Sequence, residues 1–192
     1  MLVALWERLD GSTPALPAEG LTSDERARAR GFGSEARLAQ YLAGRRLLRQ
    51  AAAAVLNLET ANLDLNAEGL PLCLNSPRPL SLSLSHSGPF VMAAASDEGP
   101  VGVDVERRGQ SRDWAALAAG LGWTGPGAGE LEGFLLRWTL KEALFKAGLA
   151  QARTAWQSAD QDAVVSLVCL DPAEPRWLSA VHPQLRMQPV TI

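Results

Sequence analysis

Both halves of this chain show the same order of apolar patterns. A strand pattern, with a period of two residues, is followed by a long helical pattern and then by further strand patterns. The first half runs from a strand pattern, ALWERL, through a helical pattern at 34–56 to further strand patterns. The second half runs from VGVDVE at 101–106 through a helical pattern at 131–149 to AVVSLVCL. This order predicts an α+β fold with two similar halves, residues 1–97 and 98–192.

An alignment of the two long helical patterns is compatible with a repeat but does not require one. Placing GRRLLRQA against LKEALFKA sets Arg45 and Arg46 opposite Lys141 and Glu142. Two unrelated amphipathic helices also align in this way by chance. The alignment therefore leaves both a duplicated chain and a coincidence open.

Length and composition exclude several classes of protein. The chain has 192 residues and a net charge of −3, which does not favour binding to nucleic acid. No apolar run approaches the roughly 20 residues that span a bilayer. Cys73 and Cys169 lack the spacing of a metal site and are expected to be two buried thiols, with a disulfide as the alternative. These features favour a cytoplasmic protein without a membrane partner, and we expect a monomer.

Two carboxylates share one face of the strand predicted at 101–106. The valines of VGVDVE point to one face, and Gly102, Asp104 and Glu106 point to the other. Successive residues on one face lie roughly 6.5 to 7 Å apart, so the two carboxylates repel each other unless a cation or water lies between them. Mg²⁺ suits such oxygen ligands. A solvated strand face is the other interpretation.

Both lysines of the chain, Lys141 and Lys146, lie on the helix predicted at 131–149, although the chain has 18 lysine and arginine residues in all. A helical projection places Glu142 in an apolar stripe that includes Phe145, and a second apolar face predicts burial on two sides. A buried glutamate is costly unless it is paired or binds a metal. The simpler alternative, an exposed pair of Glu142 and Lys146, does not explain the lysine, whose compact charge suits a phosphate or a proton transfer.

Arginine is concentrated near the N-terminus of the chain. Seven arginines lie between Arg26 and Arg49, in a region that is otherwise rich in alanine. Such a local basic stretch in an acidic protein indicates either a specific anionic ligand or a solvated helix face. The helix that begins in this region is expected to use Ser23 as its N-cap.

Three motifs together carry a family resemblance. They are LSLSHSG at 82–88, whose leucines and serines alternate as in a half-buried strand, VGVDVE at 101–106, and RWTLKEALFKAG at 137–148. In this order and spacing they resemble the Sfp-type 4′-phosphopantetheinyl transferases, over roughly residues 24–148. The resemblance implies an intramolecular pseudodimer of two α+β halves, with coenzyme A bound in the cleft between them.

The resemblance also implies a reaction and its catalytic residues. The family transfers the 4′-phosphopantetheine group of coenzyme A to a serine of an apo acyl or peptidyl carrier protein, with Mg²⁺, and releases adenosine 3′,5′-bisphosphate. Carried over by position, Asp104, Glu106 and Glu142 would bind Mg²⁺. Glu142 or a metal-bound water would take the serine proton, and Lys146 would contact the α-phosphate or protonate the leaving group.

The same resemblance implies a set of coenzyme A contacts. These are Arg28, Arg45, Arg49, Ser85, His86, Lys141 and Lys146. The three arginines would hold the 3′-phosphate, and the others would lie beside the phosphates. Two positions depart from the family pattern: Ser83 replaces the usual asparagine, and Leu70 replaces a lysine that would contact a phosphate.

Two other functions use the same residues. The first is a catalytically weak coenzyme A-binding protein that keeps the fold. The second is an unrelated Mg²⁺-dependent phosphohydrolase, which would cleave coenzyme A without a carrier protein. Transfer to a carrier protein distinguishes the transferase from both.

Overall fold

The structure, a computed structural model, describes residues 1–10, 20–109, 112–152, 154–159, 161–170, 176–177 and 187–190. Within these ranges the strands are β1 (Leu2–Arg8), β2 (Ser81–Ser87), β3 (Phe90–Ser96), β4 (Val101–Arg107), β5 (Thr154–Ala159), β6 (Ala163–Cys169), β7 (Arg176–Trp177) and β8 (Gln188–Val190). The helices are α1 (Ser23–Arg30), α2 (Glu35–Leu56), α3 (Trp114–Gly120) and α4 (Leu131–Ala147), with a short 3₁₀ turn at Thr60–Asn62. The predicted mixture of helices and strands is confirmed.

The strands form two sheets with matching topology. Their strand orders are β2-β3-β1-β7 and β4-β6-β5-β8. In the first sheet, β1 and β2 both pair antiparallel with β3. In the second sheet, β4 and β5 both pair antiparallel with β6. The register also matches, because Leu2 pairs with Ser96 as Val101 pairs with Cys169. The exception to antiparallel pairing is β7, which lies parallel to β1.

The two sheets pack face to face, and the long helices cover their outer faces. Residues such as Trp6 and Val103 form the core between the sheets. On the far side of the first sheet, Leu48 of α2 packs against the strands. On the far side of the second sheet, Ala143 of α4 packs against Val168. The molecule is therefore layered as helix, sheet, sheet and helix.

A row of serine hydroxyls joins the outermost strands β2 and β4. The amides of Val101, Val103, Val105 and Arg107 donate to the hydroxyls of Ser81, Ser83, Ser85 and Ser87 at 3.0, 3.0, 3.3 and 3.1 Å. Leu82 packs on the opposite side in the core under α2, and Ser83 is only 2 % exposed. The predicted strand and its alternation of leucines and serines are confirmed, but the serine face is not open to water, because its hydroxyls accept from backbone amides of β4. We call these four residues the serine row.

Helix α4 packs on β4 through small residues, not through the predicted apolar stripe. Thr139 and Ala143 are fully buried, whereas Phe145 is 76 % exposed and Glu142 is half-buried. The predicted apolar stripe is buried at Phe134 and Leu135, which pack with Val164 and Trp123, and the prediction is wrong only for the last turns of α4. The reason is close packing, because a Cβ added to Gly102 would lie 1.9 Å from the carbonyl oxygen of Ala143. Large side chains do not fit between backbones at this distance.

Helix α1 begins with a different cap from the one predicted. Thr22 and not Ser23 is the N-cap residue, and its hydroxyl accepts from the amide of Glu25 at 3.2 Å. The Glu25 carboxylate accepts in return from the Thr22 amide at 2.8 Å. This reciprocal capping box fixes the start of α1 and the position of Glu25.

The structure also bears on the predicted cysteines, membrane spans and division of the chain. Cys73 and Cys169 are free and buried, as predicted. No helix among the described residues has the length and apolar character required to cross a bilayer. The division at residue 97 stays a prediction, and β7 of the second half joins the first sheet.

Candidate functional site

A cleft of about 620 Å³ opens where the two halves meet. Its lining residues come from α1, α2, the loop at 67–71 and β2 on one side, and from β4 and α4 on the other. Of the predicted site residues, those that line it are Arg28, Arg45, Ser85, His86, Asp104, Glu106 and Lys146. Two of the three motifs thus line the cleft through β2 and β4, and the third contributes Lys146.

The carboxylate of Asp104 lies at the centre of the polar contacts in this cleft. Its Oδ1 accepts from Lys146 Nζ at 2.6 Å and from the Ser85 hydroxyl at 2.7 Å. Its Oδ2 is buried and has no hydrogen-bond partner among the described residues. Burial raises the pKa of Asp104 to about 6, although Lys146 and Ser85 favour the ionised form. One carboxylate oxygen is therefore held in place and the other is left without a partner.

Glu106 is the second carboxylate of the cleft. The Ser87 hydroxyl donates to its Oε2 at 2.7 Å, and its side chain is half-buried. The prediction that Gly102, Asp104 and Glu106 share one face of β4 is confirmed, because Gly102 lies under α4 and both acids line the cleft.

Gly102 also explains how Lys146 reaches Asp104. A Cβ at position 102 would lie 1.9 Å from the Ala143 carbonyl oxygen and 3.0 Å from the Ala147 amide nitrogen. The last turn of α4 therefore lies directly on β4. From this turn Lys146 Nζ also donates to the Val103 carbonyl at 3.3 Å.

Two of the three carboxylates predicted to bind Mg²⁺, Asp104 and Glu106, line the cleft. Among the described residues no group of three His, Cys, Asp or Glu side chains is placed to hold a metal ion. Glu142, one helical turn before Lys146, does not line the cleft. The partnerless Oδ2 of Asp104 and the nearby Glu106 nevertheless fit Mg²⁺, which typically uses one or two carboxylates and fills its other positions with water and phosphate oxygens.

The arginines expected to bind phosphate are already paired with carboxylates. Both Nη atoms of Arg49 donate to Glu25, and Arg45 Nε donates to the same carboxylate at 2.5 Å. Burial alone would raise the pKa of the Glu25 carboxyl, but Arg49 and the N-cap amide lower it below its ordinary value. Arg28 pairs with Glu68 at 3.2 Å. Arg49 lies outside the cleft lining, behind Arg45.

Comparison with known proteins assigns the chain to a family, although no family model matches it. A protein of Thraustochytrium sp. named phosphopantetheinyl transferase is 29 % identical over 198 residues, which cover 89 % of this chain and 68 % of that protein. The 4′-phosphopantetheinyl transferases AcpT of Salmonella typhi and Salmonella typhimurium are each 31 % identical over 137 residues, which cover 67 % of this chain and 67 % of each relative. The chain belongs to the phosphopantetheinyl transferase family. The resemblance carried by the three motifs is confirmed.

The cleft of this phosphopantetheinyl transferase contains an arginine that the sequence analysis missed. Arg37 lines the cleft, is exposed, and makes no ion pair or side-chain hydrogen bond within the described part of the chain. The signal was available, since Arg37, Tyr41 and Arg45 are spaced four residues apart on α2 and all three line the cleft. Gln40 and Phe32 line it as well and were also missed.

His86 and Lys141, two predicted contacts, lie in different places. The His86 imidazole lines the cleft, where partial burial and then the charge of Arg37 lower its pKa. Lys141 is exposed, with Nζ 5.0 Å from the ring centroid of Trp138, and it lines a separate surface groove. The phosphopantetheinyl transferase cleft therefore contains one of the chain's two lysines.

Proposed function

We propose that this chain transfers the 4′-phosphopantetheine group of coenzyme A to a serine of an apo acyl or peptidyl carrier protein, with Mg²⁺, and releases adenosine 3′,5′-bisphosphate. The observation that carries the proposal is the paired Asp104 and Lys146 inside a cleft that also contains Glu106 and an arginine-lined wall. The names of the relatives support the same class of reaction.

We further propose that residues 1–97 and 98–192 form an intramolecular pseudodimer. Its support is the matching strand order and register of the two sheets. The two halves differ in their carboxylates, because Glu7 of β1 matches Glu106 but is buried, paired with Arg46 and outside the cleft lining. At the position in β1 that matches Asp104, counted from Leu2 and Val101, the first half has Leu5.

The proposed step exchanges one bond to phosphorus for another. The serine oxygen bonds to the phosphorus that carries the pantetheine arm, and the bond from that phosphorus to the bridging pyrophosphate oxygen breaks. The bridging oxygen leaves with adenosine 3′,5′-bisphosphate. Glu142 would accept the serine proton after turning into the cleft, which it does not line here; its half-buried carboxylate has no hydrogen-bond or ionic partner in the described structure that would hold it back.

Asp104 and Glu106 would hold Mg²⁺, through the partnerless Oδ2 of Asp104 and the Glu106 carboxylate. When bound there, the ion offsets the charge that develops on the pyrophosphate oxygens. Ser85 and Ser87 orient the two carboxylates by hydrogen bonds of 2.7 Å each. Lys146 would contact the leaving phosphate from the last turn of α4.

The remaining phosphate groups of coenzyme A would meet the arginine-lined wall of the cleft. Arg37 is the strongest candidate for a direct contact, because its charge is not neutralised by a described carboxylate. Arg28, Arg45 and His86 would support it from the same wall. Arg49 would reach a phosphate only if its pair with Glu25 opened, so we assign it a supporting role behind Arg45.

One observation favours a second candidate function, coenzyme A binding with little transfer. Glu142, the third carboxylate carried over from the family motif, does not line the cleft with Asp104 and Glu106. If Glu142 never joins them, the cleft would still bind phosphates through its cations. The chain would then retain the ligand and lose most of the chemistry.

Intact-protein mass spectrometry tests these alternatives directly. Several apo carrier proteins are incubated with this chain, coenzyme A and Mg²⁺, with a parallel sample in EDTA. A gain of one phosphopantetheine on any carrier, absent in EDTA, is the expected result. Coenzyme A that binds without any transfer would favour the weak binding protein, and cleavage of coenzyme A without transfer would favour a hydrolase.

A further inference from the structure

An asparagine outside the cleft lies at the base of a loop that forms part of the cleft wall. The backbones of Asn66 and Leu72 are joined by a hydrogen bond of 3.0 Å, next to an antiparallel bridge between Leu65 and Cys73. The five residues enclosed by this pair, 67–71, all line the cleft, whereas Asn66 lies outside the cleft lining. We call residues 67–71 the wall loop.

The side chain of Asn66 uses both ends of its amide to hold the wall loop. Its Nδ2 donates to the carbonyls of Glu68 at 2.6 Å and Leu70 at 2.8 Å, and its Oδ1 accepts from the Leu72 amide at 2.7 Å. Asparagine suits this place because one short side chain carries two donor hydrogens and an acceptor. The turn also uses Gly69, whose φ of 76° lies in the left-handed region. The wall loop is therefore folded around one side chain.

Arg45 joins the base of the wall loop to the interior of the protein. Its Nη2 donates to the Asn66 carbonyl at 2.7 Å, and its Nε donates at 2.5 Å to Glu25, which is fully buried. The ion pair of Glu68 with Arg28 joins two side chains that are more than half exposed, so it contributes little. Arg45 therefore fixes where the wall loop begins, and Asn66 fixes its shape.

The wall loop lies on the side of the cleft that suits the nucleoside end of coenzyme A. With the pyrophosphate at Asp104, as proposed above, the ligand extends in two directions, as an uncharged pantetheine arm and as an adenosine that carries a third phosphate. Arg28 and Arg45, two arginines of the cleft lining, adjoin the wall loop through the contacts just described. The charged adenosine end therefore belongs on this side. Leu70, which lines the cleft and is 70 % exposed, offers apolar surface to the flat base there.

We propose that Asn66 is a positioning residue that sets the affinity for the nucleoside end of coenzyme A by holding the wall loop in shape. The inference rests on the proposed use of coenzyme A. A loop that is already ordered loses little conformational freedom when a ligand binds, whereas a loosened loop must be ordered on binding, which lowers the affinity. The reacting phosphorus lies at the carboxylates and not at the wall loop. Loss of the Asn66 hydrogen bonds therefore weakens binding and leaves the chemical step intact.

Asn66→Asp tests this role with almost no change in side-chain shape. The substitution removes both donors and places a carboxylate against two carbonyl oxygens. Asn75→Asp is the matched control, because Asn75 lies outside the cleft lining and likewise accepts from the Asp64 amide and donates to the Asn62 carbonyl. Gly69→Ala is a second variant, which strains the same turn and leaves Asn66 in place.

Calorimetry measures the affinity for coenzyme A, and the transfer assay gives KM and kcat. We expect Asn66→Asp to raise the Kd and the KM for coenzyme A about tenfold and to leave kcat within about twofold, with a change in the same direction for Gly69→Ala. Adenosine 3′,5′-bisphosphate, which has only the nucleoside end, should lose affinity by the same factor. A pantetheine pyrophosphate with a methyl group in place of the adenosine should bind equally to wild type and variant. Asn75→Asp should change none of these values.

The outcomes separate this inference from the proposed function. If wild type binds coenzyme A and transfers its arm, and Asn66→Asp and Gly69→Ala bind it equally well, the role of Asn66 is wrong and the transfer stands. If the methyl analogue loses as much affinity as coenzyme A, or if kcat falls with an unchanged KM, the inference is also wrong. If wild type neither binds coenzyme A nor modifies any carrier, both proposals are wrong. Urea unfolding verifies that each variant is folded, and if one is not, the other decides.

Discussion

Lys146 Nζ lies 2.6 Å from Oδ1 of Asp104, so the last turn of α4 and the middle of β4 are joined by an ion pair inside the cleft. The ammonium group also donates to the Val103 carbonyl at 3.3 Å. A compact ammonium can make both contacts where a wide, planar guanidinium is harder to accommodate. This geometry gives a reason for a lysine in a chain that otherwise uses arginine almost throughout.

Lys146→Arg keeps the positive charge and tests whether the shape of the lysine matters. We expect transfer to slow by about 100-fold or more, because the larger group displaces Asp104 or the substrate phosphate. Lys141→Arg is the matched control and should leave the rate nearly unchanged, since Lys141 lies against Trp138 outside the cleft. The comparison uses transfer rates at saturating substrates. A normal rate for Lys146→Arg would mean that only the charge is required.

Asp104→Asn tests the buried carboxyl through the pH dependence of stability. The pKa of Asp104 is raised from 3.8 to about 6 in the folded state, so protonation favours folding. Its stabilising effect is complete below about pH 4 and is lost as the pH rises through 6. In EDTA, the free energy of unfolding of wild type relative to Asp104→Asn should fall by about 2 kcal/mol between pH 4 and 7. Denaturant unfolding measures this difference, and parallel pH profiles would contradict the shift.

Glu142→Gln tests the assignment of the proton acceptor. The variant should lose transfer activity by about 100-fold or more and keep its stability and its affinity for coenzyme A, because the half-buried carboxylate has no described partner to lose. Glu130→Gln, an exposed change just before α4, is the control and should retain activity. Rates come from the mass-spectrometric transfer assay. Full activity of Glu142→Gln would assign the proton to another base.

Arg37→Ala tests the arginine without an ionic partner in the cleft. We expect the KM for coenzyme A to rise about tenfold, since a charge-assisted hydrogen bond to phosphate is lost. The increase should be smaller for 3′-dephospho-coenzyme A if Arg37 contacts the 3′-phosphate. Arg30→Ala removes an exposed arginine that does not line the cleft and serves as the control. Equal increases for both substrates would place Arg37 at the pyrophosphate instead.

Gly102→Ala tests the close approach of β4 and α4. The added Cβ would lie 1.9 Å from the Ala143 carbonyl oxygen, so strand or helix must shift. We expect a loss of about 3 kcal/mol in the free energy of unfolding, measured in urea. Gly33→Ala adds the same group where no atom lies within 4 Å and should change stability by less than about 0.5 kcal/mol. An equal free energy of unfolding for the two variants would show that β4 and α4 move apart at position 102 without loss of stability.

The sequence predicted the strand that carries the carboxylates well, because its pattern is strict. In VGVDVE every second residue is valine, and only one alternation of faces is possible. The valines entered the core between the sheets, and Asp104 and Glu106 entered the cleft. Here local periodicity and tertiary packing agree, so the residue pattern alone was sufficient.

The sequence predicted the extent of helix α4 and the burial of Phe134 and Leu135, but not the face that packs on β4, because large apolar residues lie on more than one side of the helix. Projection favoured a stripe with Phe145, whereas the structure buries Thr139 and Ala143 and leaves Phe145 exposed. What decides the face is the missing Cβ of Gly102, which lies on another element. Contacts of this kind, and the pairing of Arg49 with Glu25, depend on residues far apart in the chain and have no periodic signal.

The serine row has a consequence for how this protein avoids self-association. A strand at the rim of a sheet normally exposes amide groups that can template a strand from another molecule, which is a route to aggregation. Along β4 the amides of Val101, Val103, Val105 and Arg107 are instead occupied by the hydroxyls of β2. A foreign strand would have to displace four intramolecular hydrogen bonds to add there. The contact that holds the two halves together thus also shields β4 from edge-to-edge polymerisation.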